Sequence, residues 1–269
     1  MAREYIARDP RTGERIGAKP KGARKGVGIA ALSPDSGPWQ RLESHEILPL
    51  ANGESGKIEI LADGKTWLLG RIDGIKALAK VPEKDVERAY DSLVDALEDD
   101  FPDVRIAALK TLPSFSLRRQ GILLHCLSDR LQDDEDSVRE EAMTCLKKVA
   151  PLFPSGCEEI LRRELRDTRK DHRGNAFEAL KLASREWPEV GCLHLDELIR
   201  EEEGDLRIRG SMILRTIASK GGAEAWDLIG WSLQDEEVQV RRNASKTLTI
   251  LADVEPRVAV ILVESSIGE

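Results

Sequence analysis

Leucines stand at Leu78, Leu112, Leu146, Leu180, Leu214 and Leu248, 34 positions apart throughout. Four residues before each comes a small residue, Gly74, Ala108, Ala142, Ala176, Gly210 or Ala244. Three residues after each comes an apolar one, Val81, Phe115, Val149, Ala183, Ile217 or Leu251. Steps of 3, 4 and 7 put all three columns on one face of a helix. Seven residues before each leucine stands an arginine: Arg71, Arg105, Arg139, Arg173, Arg207 and Arg241.

A second apolar pair keeps the same interval. It is Leu93 and Leu97, Leu127 and Leu131, Leu161 and Leu165, Leu195 and Ile199, Ile229 and Leu233, then Val263 and Ile267. Each period therefore predicts two helices, A and B. They are joined by acidic turns such as Glu98-Asp99-Asp100, Asp133-Asp134-Glu135 and Asp235-Glu236-Glu237, which face the N-terminus of helix B where its dipole favours negative charge. Such a unit is too small to bury its own apolar face and draws stability from its neighbours. Pro256 to Ile267 reads as helix A of an unfinished seventh unit.

The N-terminal region lacks this pattern. Residues 4–16 read as two short strands around Asp9-Pro10-Arg11-Thr12-Gly13. Residues 17–40 hold too many Gly and Pro for regular structure and read as an arm or linker. Ile58-Glu59-Ile60-Leu61, with Asp63-Gly64 and Trp67, reads either as a second hairpin or as the opening of a degenerate first helix, with helix from about Thr66. The expected division is thus an N-terminal segment 1–65 and a repeat region 66–269.

The motif Val-Arg-x-x-Ala-x-x-x-Leu occurs at Val104-Arg105, Val138-Arg139 and Val240-Arg241. Tetratricopeptide repeats share the period, but their Trp, Gly, Tyr, Ala and Phe pattern is not found. The motif resembles HEAT-like repeats, including the short kind named after phycobilin lyases, over roughly residues 66–267. The resemblance implies an all-α solenoid of about six two-helix repeats. It also implies a ladder in which each Arg meets an Asp two positions before the Arg of the adjacent repeat, here Asp103, Asp171 or Asp205, a pattern that Ser137 and Gln239 break. An arginine in every unit has five donors to place, and a neighbouring carboxylate or carbonyl is the natural acceptor.

Composition agrees with many small helices: aromatics are 4% and charged residues 33%. Net charge is −8, but residues 1–25 carry eight Lys or Arg against three Asp or Glu, leaving 33 against 46, or −13, on the rest. No run approaches the roughly 18 apolar residues of a membrane span and the first residues lack a signal-peptide core, so the expected location is cytoplasmic. Cys126, Cys145, Cys157 and Cys192 are not closely paired and are expected as reduced thiols. Cys145 falls in a column with Ala77, Thr111, Ala179, Ile213 and Thr247, so packing accounts for it.

Catalytic chemistry finds no signature. His45, His125, His172 and His194 make no metal-ligand set, and no metal or cofactor is expected. A single His-Glu pair, His45-Glu46, disfavours an iron hydroxylase, and nothing marks the tetrapyrrole pocket of a bilin lyase, the third reading. Helix B instead carries basic residues at Lys110, Lys147, Lys181, Arg215 and Lys246, and the resemblance implies that helix B lines the concave side. The first functional reading is a non-enzymatic scaffold that binds a protein or peptide there. The alternative is a nucleic-acid-associated protein using Lys19, Lys21, Arg24 and Lys25 together with that row. Arg162, Arg163, Arg166, Arg169, Lys170 and Arg173 alternate with acids and read as an ion-pair network. Trp231 replaces the charge found at Asp95, Asp129, Arg163 and Glu197, which makes it a cap contact under the C-terminal segment or a partner hot spot, with self-association through the half repeat.

Overall fold

The computed structural model describes residues 37–62, 64–115 and 120–267. The predicted 4–16 hairpin and the cationic arm with Lys19, Lys21, Arg24 and Lys25 lie outside the described residues. The chain divides into two compact units, 1–142 and 143–269.

In the first unit, α1 (Ser44–Ala51) is followed by β1 (Ile58–Ala62), β2 (Lys65–Leu69) and α2 (Arg71–Ala77). Then come α3 (Val86–Leu97), α4 (Pro102–Thr111), α5 (Gln120–Arg130) and α6 (Asp136–Val149), which runs past the division. α1 packs on α2 and α3 on α4, while α3 also meets α1 and α5, and α4 meets α2. Helix A therefore stacks on helix A and helix B on helix B. The glycine in the small column shows how close the first pair lies: a Cβ on Gly74 would sit 2.5 Å from the Ala51 nitrogen and 2.8 Å from the Leu50 carbonyl carbon.

Helix does not begin at Thr66. That residue is in β2, which pairs antiparallel with β1 in the register Ile58 with Leu69 and Ile60 with Trp67. Gly64 closes the turn at φ +72°, a left-handed conformation that glycine adopts without strain. Ile60 and Ala62 alternate as the buried face of β1, and Leu69, paired with Ile58, is buried on the same face from β2. Helix starts at Arg71, where the Asp73 carboxylate accepts the Gly70 N–H at 3.0 Å. The hairpin is thus inserted between helix A and helix B of the first pair, and a boundary at 65/66 passes through it.

In the second unit, α6 leads to α7 (Pro154–Glu164), α8 (Lys170–Glu186), α9 (Pro188–Leu198), α10 (Gly204–Ser211), α11 (Leu214–Ile217), α12 (Gly222–Leu233), α13 (Val238–Val254) and α14 (Pro256–Ile267). The A helices stack as α7, α9, α12 and α14, and the B helices as α8, α11 and α13. Proline at the first helical position starts α7, α9 and α14, where its missing N–H costs no hydrogen bond. Apart from the single hairpin, the described residues are all-α, in paired helices of a 34-residue repeat. No helix among them is long and apolar enough to cross a membrane.

Two details depart from the columns. Helix B of the fifth repeat breaks between α10 and α11, where the Ser211 hydroxyl donates to the Ile208 carbonyl at 2.6 Å and receives Asn243 Nδ2 at 2.8 Å. Such side-chain bonds compete with the helical ladder, and Met212 emerges at the break 57% exposed. The helix expected over 256–267 forms, but its column residues Val263 and Ile267 are exposed and only Ala259 is buried.

Candidate functional site

The arginine column is the most regular polar feature. Arg105 Nη1 donates to the carbonyls of Asp99 and Asp100 at 2.7 and 3.1 Å, so it ties down the turn preceding its own helix. Arg207 does the same to Glu201 and Glu202, and Arg241 to Asp235 and Glu236. The other end of the guanidinium reaches the next repeat: Arg71 to Asp99 at 2.6 Å, Arg105 to Asp133 at 2.7 Å, Arg207 to Asp235 at 3.2 Å. Those acids also accept the N–H two residues on, Asp133 from Glu135 and Asp235 from Glu237. The Arg105 guanidinium and the Glu135 N–H hold the Asp133 carboxyl below its ordinary range, against the opposing effect of burial.

The rung in these three repeats is therefore the Asp six positions before the next arginine, and not the Asp two before it. Asp103 and Asp171 pair with no arginine of the column among the described residues. Asp205 does serve, meeting Arg173 at 3.0 Å, because Arg166 already holds Glu201 at 2.7 Å. Arg139 turns to Asp136 in its own helix, and Arg169 occupies Asp167. Segment 162–173 is an ion-pair network: Arg162 holds Glu197, Arg163 holds Glu164, and Arg166, Arg169 and Arg173 are engaged as above.

Glu164, Asp167 and His172 bring three ligand-capable atoms within 4.8 Å of one another. Arg163 lies 2.8 Å from Glu164, and Arg169 Nε 2.9 Å from Asp167, so a cation there would have to displace both arginines. Burial pushes the thiol of Cys157 up to about 12 and that of Cys192 up to about 11, away from the thiolate that nucleophilic attack requires. All four cysteines are buried, and none is in a disulfide.

His194, on α9, is almost fully buried and neither ring nitrogen makes a hydrogen bond. Burial pushes it down to about 4 from an ordinary 6.5. The unfolded chain then takes up the proton near pH 6.5 while the folded chain refuses it until about pH 4, so stability falls as pH falls through that window. Between pH 7 and 5 the native protein should lose about 2 kcal/mol relative to a His194→Leu variant, measured by denaturant titration at both pH values. Parallel pH dependence of the two proteins would remove His194 as the cause.

The helix B row is largely occupied by neighbours. Lys110 pairs with Glu141 at 3.5 Å, Lys147 donates to Asn175 Oδ1 at 3.1 Å, and Lys181 meets Glu178 at 3.3 Å. Arg215 and Lys246 are exposed and without a partner among the described residues.

Trp231 lies on the other layer. It is 67% exposed, so α14 does not cover it, although α14 packs on α12 with Leu262 beside Gly230. It stands at the edge of a groove of about 410 Å³ between α9 and α12, lined by Glu189, Cys192, Leu193, Asp196 and Arg200 on α9 and the turn after it. Glu224, Asp227, Leu228 and Trp231 line it from α12. On each helix the lining positions recur at intervals of three, four and seven, which makes them single stripes. Column comparison singled out Trp231 but missed the groove, because, apart from Leu193 and Asp227, its lining residues stand at inequivalent positions of consecutive A helices.

No protein-family model matches this sequence, and no curated protein matches it. Solved structures do. The archaeal HEAT-like repeats protein from Thermococcus onnurineus NA1 is 13% identical, with 84% of this chain and 88% of that one covered at TM-score 0.47. Computationally designed armadillo repeat proteins for modular peptide recognition are 15% identical, covering 77% and 99% at TM-score 0.38. The CpcE–CpcF complex of phycocyanin lyase from Nostoc sp. PCC7120 is 16% identical, covering 84% and 82% at TM-score 0.40.

Proposed function

We propose that this chain is a non-enzymatic scaffold that binds a protein or peptide partner through its 143–269 unit. The observation that carries this reading is the exposure of Trp231 at the edge of the groove between α9 and α12. A large aromatic ring on a water-facing surface has given up the apolar burial that folding offers, and aromatic anchors of this kind dominate binding energy at interfaces. The helix B row contributes a smaller patch, Arg215, Met212 and Lys246, on the opposite layer.

The test is quantitative capture from a nuclease-treated extract with the full chain, with Trp231→Ala and with Arg215→Glu/Lys246→Glu. Proteins retained by the native chain should be lost from the Trp231→Ala bait, since an interface hot spot is worth about 2 kcal/mol or more, roughly thirtyfold in affinity. Identical sets on all three baits would overturn the reading. Loss of everything on nuclease treatment would favour nucleic acid instead, with binding that weakens steeply with salt.

A further inference from the structure

We propose that the α9/α12 groove binds a cationic peptide segment, with an arginine or lysine side chain of the partner seated against Trp231 and between the carboxylates of the two helices. This rests on the groove being the binding site of the scaffold and adds the chemistry of what it takes.

The lining residues include four carboxylates, Glu189, Asp196, Glu224 and Asp227, against one cation, Arg200. Arg200 is committed to Asp196 at 2.7 Å. Glu189, Glu224 and Asp227 are exposed and meet no hydrogen-bonding or ionic partner among the described residues. Four other acids of the unit, Glu197, Glu201, Asp205 and Asp235, are by contrast each held by an arginine. Three unneutralised acids around one groove repel each other across a low-dielectric wall and focus a negative potential into it. The buried thiol below feels that field: after burial, Glu224 and Glu189 are what raise Cys192.

The apolar part has a matching shape. Leu193 and Leu228 lie beside Cys192 on the groove wall, and Trp231 stands at its rim. A cation over an indole face gains about 0.5–2 kcal/mol from the ring quadrupole, and the aliphatic stem of Arg or Lys covers the leucines. Glu224 and Trp231 are seven residues apart on α12, roughly 10 Å along the helix, which about three extended residues span. Two cationic side chains three residues apart would therefore reach Trp231 and the Glu224 carboxylate together. An acidic segment or a phosphate backbone would add like charge to unpaired carboxylates.

The test is fluorescence anisotropy with the full chain and three labelled glycine–serine peptides, carrying two arginines, two glutamines or two glutamates three residues apart. The arginine peptide should bind at least about tenfold tighter than the glutamine one, and the glutamate peptide not at all. Trp231→Ala and Glu224→Gln/Asp227→Asn, both at exposed positions that leave the helices intact by circular dichroism, should each weaken the arginine peptide about tenfold. Equal binding of the arginine and glutamine peptides would overturn the cationic preference while leaving the scaffold reading standing. Arginine-peptide binding that survives both variants would place the cation elsewhere on the acidic surface and also overturn it. No binding of any peptide would do the same, and the capture experiment then decides the scaffold reading separately.

Discussion

Leu146→Ala should destabilise the 143–269 unit by about 2–5 kcal/mol, among the largest losses available to a single truncation in this chain. Leu146 is fully buried, and so are Ala142, Met143, Cys145 and Val149 around it on α6 and Ala150 just after it. Removing three carbon atoms from such a site forfeits their transfer free energy and leaves a cavity that a helix fixed on several sides cannot collapse into. The neighbouring Lys148 is exposed and supplies the control: Lys148→Ala should change stability by less than about 0.5 kcal/mol. Denaturant titration reads the difference, and hydrogen exchange in α6 localises it, which matters because repeat arrays need not unfold as one unit. A loss near zero for Leu146→Ala would mean that the leucine column is not the core column.

The columns were legible because burial repeats with them. The small residue is buried in all six helices B, and the leucine in the first five, with Leu248 only half-buried. The first helix pair was harder to see for a definite reason. The hairpin over 58–69 sits between α1 and α2 and shifts helix A out of the 34-residue register, so Glu59 and not a leucine stands one period before Leu93. The rungs of the ladder were misassigned because one guanidinium can reach more than one acid of the turn region, as Arg173 does with Glu203 and Asp205 and Arg207 with Asp235 and Glu236. Competition from Arg166 and Arg169, which no column records, decides between them.

The groove escaped for a related reason. Each column compares equivalent positions, whereas Leu193 and Trp231 line one groove from inequivalent ones. What the sequence did carry was the i, i+3, i+7 stripe Glu224, Asp227 and Trp231, acidic and aromatic on a helix whose other faces are apolar. The basic row on helix B was equally visible. Its weakness as a site lies in its partners, Glu141 and Asn175 from the neighbouring repeats and Glu178 one turn away on Lys181's own helix.

Arg207→Ala should cost about 3–5 kcal/mol, because it breaks a buried ion pair from one side only. Both side chains are more than nine-tenths buried, and the guanidinium places every nitrogen: Nη1 on the Glu201 and Glu202 carbonyls, Nε on Asp235, Nη2 on Glu236. Alanine strands two turn carbonyls and leaves Asp235 with only the Glu237 N–H at 2.7 Å. Arg207→Lys should recover only part of the loss, since one ammonium cannot span carbonyls and carboxylate as a planar fork does. Arg71 makes the same kind of bridge, to the Ala51 carbonyl at 3.1 Å and to Asp99, but its side chain is one-third exposed. Water can therefore replace its bonds, and Arg71→Ala should cost below about 1.5 kcal/mol. Comparing the two truncations by denaturant titration separates burial from mere repetition. Equal losses at both positions would mean that the column contributes through packing of its aliphatic stems, and the charge pairs would then set the register of the repeats without holding them together.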